Sequence, residues 1–227
     1  DTPAGVAHYL EHKMFDTKEG NALQELAANG ASPNAFTSNA ITGYYFESTE
    51  KFEENLRILL SFVSIPYFTK ESVDKEQGII GQEIGMIEDD PDWVVFMDLM
   101  QALYEKHPVR VSVAGSAESI SHITAETLYA CHKAFYDPSN MVLCVAGDVD
   151  PEKICQAARE ILPERPGAPV ARGDYGAQEP AEVCQPMIQR EMEVSVPLFP
   201  LGFKGEAAPE GEGALRQQLL GELACEA

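Results

Sequence analysis

The chain has 227 residues, with 16 Lys+Arg against 37 Asp+Glu and a formal charge of −21. That balance argues against a nucleic-acid partner, since phosphate binding needs clustered positive charge and no basic stripe occurs, and it disfavours an anionic membrane surface for the same reason. The 44% apolar content can fill a real core, and the length suits one large domain or one domain plus part of another.

No apolar run approaches the ~18 residues needed to span a bilayer, and the N-terminus lacks the charged-then-apolar layout of a secretory signal, so a cytosolic protein is expected. The chain opens on Asp1 rather than Met, which reads as a processed or excised piece. The cysteines, Cys131, Cys144, Cys155, Cys184 and Cys225, are odd in number and widely spaced, without a C-x-x-C pair, and are expected to be reduced thiols.

Residues 6–15 carry a helical pattern, and a second helix is expected over 20–29, with Leu23, Leu26 and Ala27 on one face and Gly30 as its stop. The period then changes. "ASPNAFTSNAITGYYFES" (31–48) is rich in Thr, Phe, Tyr and Ile and reads as a β-hairpin. Helical spacing returns over 50–64, closed by Pro66, and Thr69 is the expected cap of a helix running to about residue 88. A helix over 93–104 leads into the irregular "HPVRVSVAGSAES", then "ITAETLYACHKAFY" is again helical.

"NMVLCVAGDVD" reads as a short buried strand, followed by the helix "PEKICQAAREIL" with Pro at its first turn. Residues 163–186 are proline-rich and read as a linker. "MIQREMEVSVPLFPLGF" reads as a new strand and "ALRQQLLGELA" as another helix. The domain expectation is therefore an α/β unit over 1–162, a linker over 163–186 and the start of a second unit over 187–227.

The chemistry concentrates in "GVAHYLEHKMF". His8 and His12 stand at i and i+4, so on a helix of ~3.6 residues per turn their imidazoles share one face about 6 Å apart, a spacing that clamps one metal ion. Glu11 lies on the neighbouring flank, placed as a general base beside a Lewis acid. This is the H-x-x-E-H arrangement, the order-reversed form of the H-E-x-x-H helix.

A catalytic zinc site takes three protein ligands plus water. The best third candidate lies in "DKEQGIIGQEIGMIE", where Glu76 and Glu83 are seven residues apart and nearly eclipsed on one helix. Ile80, Ile84 and Ile87 place that helix against the core, so the Glu83 carboxylate is expected to be partly buried and in want of a cation. Gly78 and Gly81 are expected to permit close approach of another backbone.

Each residue also has a plainer reading. Glu83 and Glu76 read equally well as surface carboxylates, with Glu76 otherwise a group supporting the site rather than a ligand. His107, His122 and His132 have no partner at ligand spacing and are expected to be structural or exposed, and Trp93 and the Tyr44-Tyr45-Phe46 run to be packing residues.

"HYLEH" with "KEQGIIGQE" downstream resembles the insulinase/pitrilysin (inverzincin) zinc peptidases, most closely their uncharacterised bacterial cytosolic branch. "NAFTSNAITGYYF" is similar to the family's substrate-binding hairpin, and "HPVRVSVAGSAESISHIT" and "FYDPSNMVLCVAGDVDPEKI" to its later segments, in family order over residues 1 to about 160. The resemblance implies one zinc ion held by His8, His12 and Glu83, and Glu11 as the base. It also implies Glu76 in support, and Asn34, Ala35 and Phe36 on an edge strand to which a substrate peptide adds itself.

Family members usually contain two or four α/β units closing into a chamber, and the second half supplies an Arg and a Tyr opposite the zinc. This chain is read as an N-terminal catalytic portion lacking the preceding strands and that half, which the same polypeptide or a homologous subunit would supply. The expected function is zinc-dependent endoproteolysis of short or unfolded peptides.

Two other readings compete. One is a catalytically silent family subunit serving as structural partner. The other is the S-ribosylhomocysteine lyase fold, which shares the motif but takes a cysteine ligand; here the first cysteine is Cys131, far beyond the window that Glu83 occupies. The expected fold is α+β, an antiparallel sheet with helices mainly on one face.

Overall fold

The computed structural model describes residues 2–162, 178–205 and 211–226, the last four of these as backbone only. It is an α+β chain with a two-stranded antiparallel sheet and a surrounding set of helices.

The motif helix α1 (Val6–Met14) starts at Gly5, which is left-handed at φ 89°. A Cβ on Gly5 would lie 2.5 Å from the Ala114 carbonyl oxygen, and one on Gly115, also at positive φ, 2.6 Å from that of Ala4. Two glycines therefore let the entry to α1 pack on the 114–115 turn, where any other residue would be both strained and crowded. Tyr9, Leu10, Lys13 and Met14 turn inward from α1, all at 3% exposure or less. The Tyr9 hydroxyl donates to the Val73 carbonyl at 2.5 Å, tying α1 to the helix that faces it.

Helix α2 (Ala22–Ala28) is capped by the Asn21 side chain, and the hairpin follows as β1 (Ser32–Thr37) and β2 (Thr42–Glu47). The register pairs Ala35 with Tyr44 and Thr37 with Thr42. Alternation puts Ala35, Tyr44 and Phe46 against the core and leaves Phe36 and Tyr45 half-exposed on the other side. This is the expected sheet with helices on one face.

Helix α3 (Phe52–Ser64) packs on α8 (Pro151–Ile161) through Leu56, Leu60 and Ala157, with Arg57 to Glu160 at 2.7 Å and Lys153 to Glu53 at 3.0 Å along the rim. Thr69 caps α4 (Lys70–Glu88) in a reciprocal capping box with Ser72, and Val73, Ile80 and Ile84 bury its inner face. Asp90 and Pro91 start α5 (Pro91–Leu103); α6 (Ala117–Ser121) and α7 (Ala125–Phe135) then close the core through Ile120, Ile123 and Leu128. The last helix, α9, spans Glu212–Glu226.

Three expectations are corrected. Residues 141–150 form no strand: Val142 is 87% exposed, and among the described residues none pairs with this stretch. An apolar β-branched run supplies side chains for a buried strand but not the neighbour whose ladder would make it one. Residues 187–203 likewise form no ladder and run as irregular backbone beside α5.

Polar clamps hold that part of the chain. Gln185 N–H donates to the Ala102 carbonyl at 2.9 Å, and Arg190 grips the buried Asp98 with two bonds of 2.9 and 2.8 Å. The Glu179 carboxylate accepts from Lys204 and from the backbone N–H groups of residues 105–107. Burial pushes the Glu179 pKa up, but those bonds outweigh it and hold the carboxyl at about 2. Of the expected linker, residues 163–177 lie outside the described residues.

The third correction concerns Gly78 and Gly81, where a Cβ would meet nothing within 4 Å. Among the described residues no backbone outside α4 approaches them, so their helical entropy cost is uncompensated by packing. Gly78→Ala and Gly81→Ala are each expected to stabilise the chain by about 0.5–1 kcal/mol, read as a raised urea midpoint at unchanged slope. A loss of stability at either would show that these positions carry a contact.

Candidate metal centre

Helices α1 and α4 cross with their polar faces together, and this brings His8, His12 and Glu83 to one point. One ligand atom from each lies within 4.8 Å of the other two. His8 Nε2 is 3.5 Å from Glu83 Oε1, and His12 Nε2 is 3.5 Å from Glu83 Oε2. Two ligands sharing one tetrahedral zinc at ~2.1 Å stand about 3.4 Å apart, so the three side chains fit such an ion with little adjustment. The Glu83 side chain is 40% exposed and those of His8 and His12 only 12% and 24%, which leaves the centre open on the Glu83 side.

Glu76, two turns before Glu83, reaches the other side of the same imidazole: its Oε1 is 3.1 Å from His12 Nδ1. A carboxylate there favours the proton on Nδ1 and leaves the Nε2 lone pair facing Glu83. The bond pushes the His12 pKa above its ordinary value, against the opposing effect of burial. It holds Glu76 below the usual carboxylate range, with the nearby Lys13 charge acting in the same direction. His8 behaves oppositely: burial lowers its pKa more than Glu83 raises it. His8 Nδ1 is buried, with no hydrogen-bond partner among the described residues.

Two neighbours escaped the sequence reading. Lys13 is 1% exposed, pairs with Asp16, and has its Nζ 3.7 Å from Glu76 Oε2. It is a buried cation set among carboxylates, the pairing that makes a buried charge tolerable. Thr37, at the end of β1, donates its hydroxyl to Glu11 Oε2 at 2.6 Å. Glu11 itself is 9% exposed, one residue before His12 and facing the hairpin. The only available signals were that Lys13 falls on the inward face of α1 and that Thr37 lies one strand residue beyond "NAF".

The other expected site residues lie on β1. Asn34 and Phe36 are exposed on the outward face, while Ala35 packs inward, its N–H donating to Asn34 Oδ1 at 2.8 Å. His132 bonds the Val63 carbonyl at 2.9 Å and stacks on Tyr136, and His107 accepts from Val109 N–H, so both serve structure. Cys131, Cys144, Cys155 and Cys184 are free thiols, and Cys131 sits in the core rather than among the ligand group, which removes the basis of the lyase reading.

Fold and constellation together define a class: an α+β chain whose facing helices carry a candidate metal centre beside a hairpin. The chain belongs to the insulinase family, peptidase family M16, whose model matches residues 1–117; the M16 inactive-domain model matches residues 122–224. It is 50% identical over 164 residues to the zinc protease YmfH of Bacillus subtilis, covering 72% of this chain and 38% of that one. To a zinc protease of Rickettsia felis it is 28% identical, over 95% of this chain and 52% of the relative.

Among solved structures, an M16-like peptidase of Alicyclobacillus acidocaldarius superposes with TM-score 0.68 at 40% identity, over 82% of this chain and 42% of that chain. A Helicobacter pylori protease shares the fold, with TM-score 0.69 at 21% identity over 78% of this chain and 45% of that chain. The chain thus spans between a third and about half of the length of these relatives. Among the described residues no helix is long and apolar enough to cross a membrane.

Proposed function

We propose that this chain is the zinc-binding portion of a cytosolic bacterial endopeptidase acting on short or unfolded peptides. The observation that carries the reading is the convergence of His8, His12 and Glu83 with the Glu11 carboxylate held alongside. One zinc ion, when bound, would act as a Lewis acid that polarises the scissile carbonyl and acidifies the attacking water.

The chain's own residues supply the rest. Glu11 takes the proton of that water and passes it to the leaving amine. Glu76 holds His12 in the tautomer that presents Nε2. The edge of β1 at Asn34, Ala35 and Phe36 receives the peptide as an added strand; the Ala35 N–H, now turned to Asn34 Oδ1, is a donor that a substrate carbonyl can take over.

The domain reading is a unit over 1–162 carrying the centre, with 187–227 beginning a second. That second half, in the same polypeptide or a homologous subunit, would close over the bound peptide.

The test measures bound metal by mass spectrometry of protein purified without chelator, beside cleavage of a fluorogenic peptide. About one zinc per chain, with cleavage abolished by a chelator and restored by added zinc, is the expected result. Absence of zinc overturns the reading, and zinc without cleavage even when the second half is supplied transfers it to the structural-partner role.

A further inference from the structure

A general base must present one particular lone pair to its proton, and a glutamate is poorly suited to do so unaided. The torsion that turns its carboxylate plane is broad rather than locked in staggered wells. On α1 the Glu11 carboxylate is anchored from outside its own helix: Thr37 donates to Oε2, while Oε1 has no hydrogen-bond partner among the described residues.

The anchor is itself ordered. Thr37 and Thr42 are cross-strand partners with hydroxyls 3.4 Å apart. A threonine has one hydroxyl proton, and an ionised carboxylate only accepts; with the Thr37 proton committed to Glu11, Thr42 is the donor to Thr37. β-Branching restricts the Thr37 side-chain torsion, and ladder pairing fixes its backbone. The result is a stiff donor on the inner face of the hairpin, on the strand that carries Asn34, Ala35 and Phe36.

We propose that Thr37 is a positioning residue for Glu11, through which the β1 strand that receives a peptide also sets the orientation of the base. This rests on the peptidase reading above and deepens it: strand addition and base alignment share one rigid element. A peptide in register along β1 then meets an aligned base, and distortion of β1 loosens both.

The experiment uses the zinc-loaded 227-residue chain and a peptide hydroxamate as probe, because a hydroxamate on the metal donates to the base carboxylate. Thr37→Val and Thr37→Ser are compared, each in the wild-type and in the Glu11→Gln background. The expected result is that Thr37→Val keeps its zinc and its fold, with a lowered melting temperature from the unpaired carboxylate, but binds the hydroxamate roughly tenfold more weakly, the scale of one misaligned hydrogen bond to a charged group.

Thr37→Ser, which keeps the donor, should restore affinity, and in the Glu11→Gln background Thr37→Val should produce no further change. A residue that only stabilised the hairpin would weaken binding equally in both backgrounds. The inference is overturned if Thr37→Val binds like wild type, if its effect persists with Glu11→Gln, or if Thr37→Ser fails as Thr37→Val does. In those cases the wild-type chain still binds zinc and hydroxamate, and only the role of Thr37 falls; if the wild-type chain binds neither, the peptidase reading falls and this inference with it.

Discussion

Glu11→Gln is expected to retain about one zinc per chain and to lower kcat for peptide cleavage by on the order of 10³-fold, within the range of a lost general base. Glutamine keeps the size of the side chain, and its amide oxygen still accepts from Thr37, so the helix and the hairpin contact survive. What it cannot do is take up a proton. His12→Ala should lose zinc and cleavage together, because it removes a ligand and frees Glu76 from its partner. Turnover of a fluorogenic peptide beside metal analysis separates the two, and undiminished cleavage by Glu11→Gln would sink the role assigned to it.

Glu83→Ala should weaken zinc by more than the roughly 10–100-fold expected of Glu76→Gln, measured by competition with a chromophoric chelator. Glu83 faces both Nε2 atoms, whereas Glu76 acts only through the Nδ1 of His12. The pH dependence has a definite sign. Glu76 raises the His12 pKa, so protons compete with zinc for His12, and affinity falls as pH drops through that raised value. Glu76→Gln removes the raising partner, so its penalty is greatest above the raised value and shrinks below it. An equal penalty at all pH values would mean that Glu76 acts by packing alone.

Local chemistry was legible from the residues because it depends on short-range periodicity. Two histidines four apart on α1 and two glutamates seven apart on α4 share helix faces whatever else the chain does. The cap at Thr69, the proline-led first turn at Pro151 and the hairpin within residues 31–48 are decided within a few residues and formed where the sequence placed them, while α5 starts at Pro91, slightly ahead of the expected start at residue 93. The family followed from motifs in order along the chain.

Periodicity says nothing about which faces meet. The 141–150 and 187–203 runs have the composition of strands, yet a strand exists only through its neighbour, and none of the described residues supplies one. Gly78 and Gly81 signalled a close approach that belongs instead to Gly5 and Gly115, because only the packed backbone shows where two segments touch. Sequence alone thus determined most of the helices, the hairpin and which residues form the candidate metal centre. The tertiary structure alone decided that Glu83 faces both imidazoles, that Lys13 is buried beside Glu76, and that Thr37 holds Glu11, since each is a contact between elements far apart in the chain and is set by side-chain packing in three dimensions.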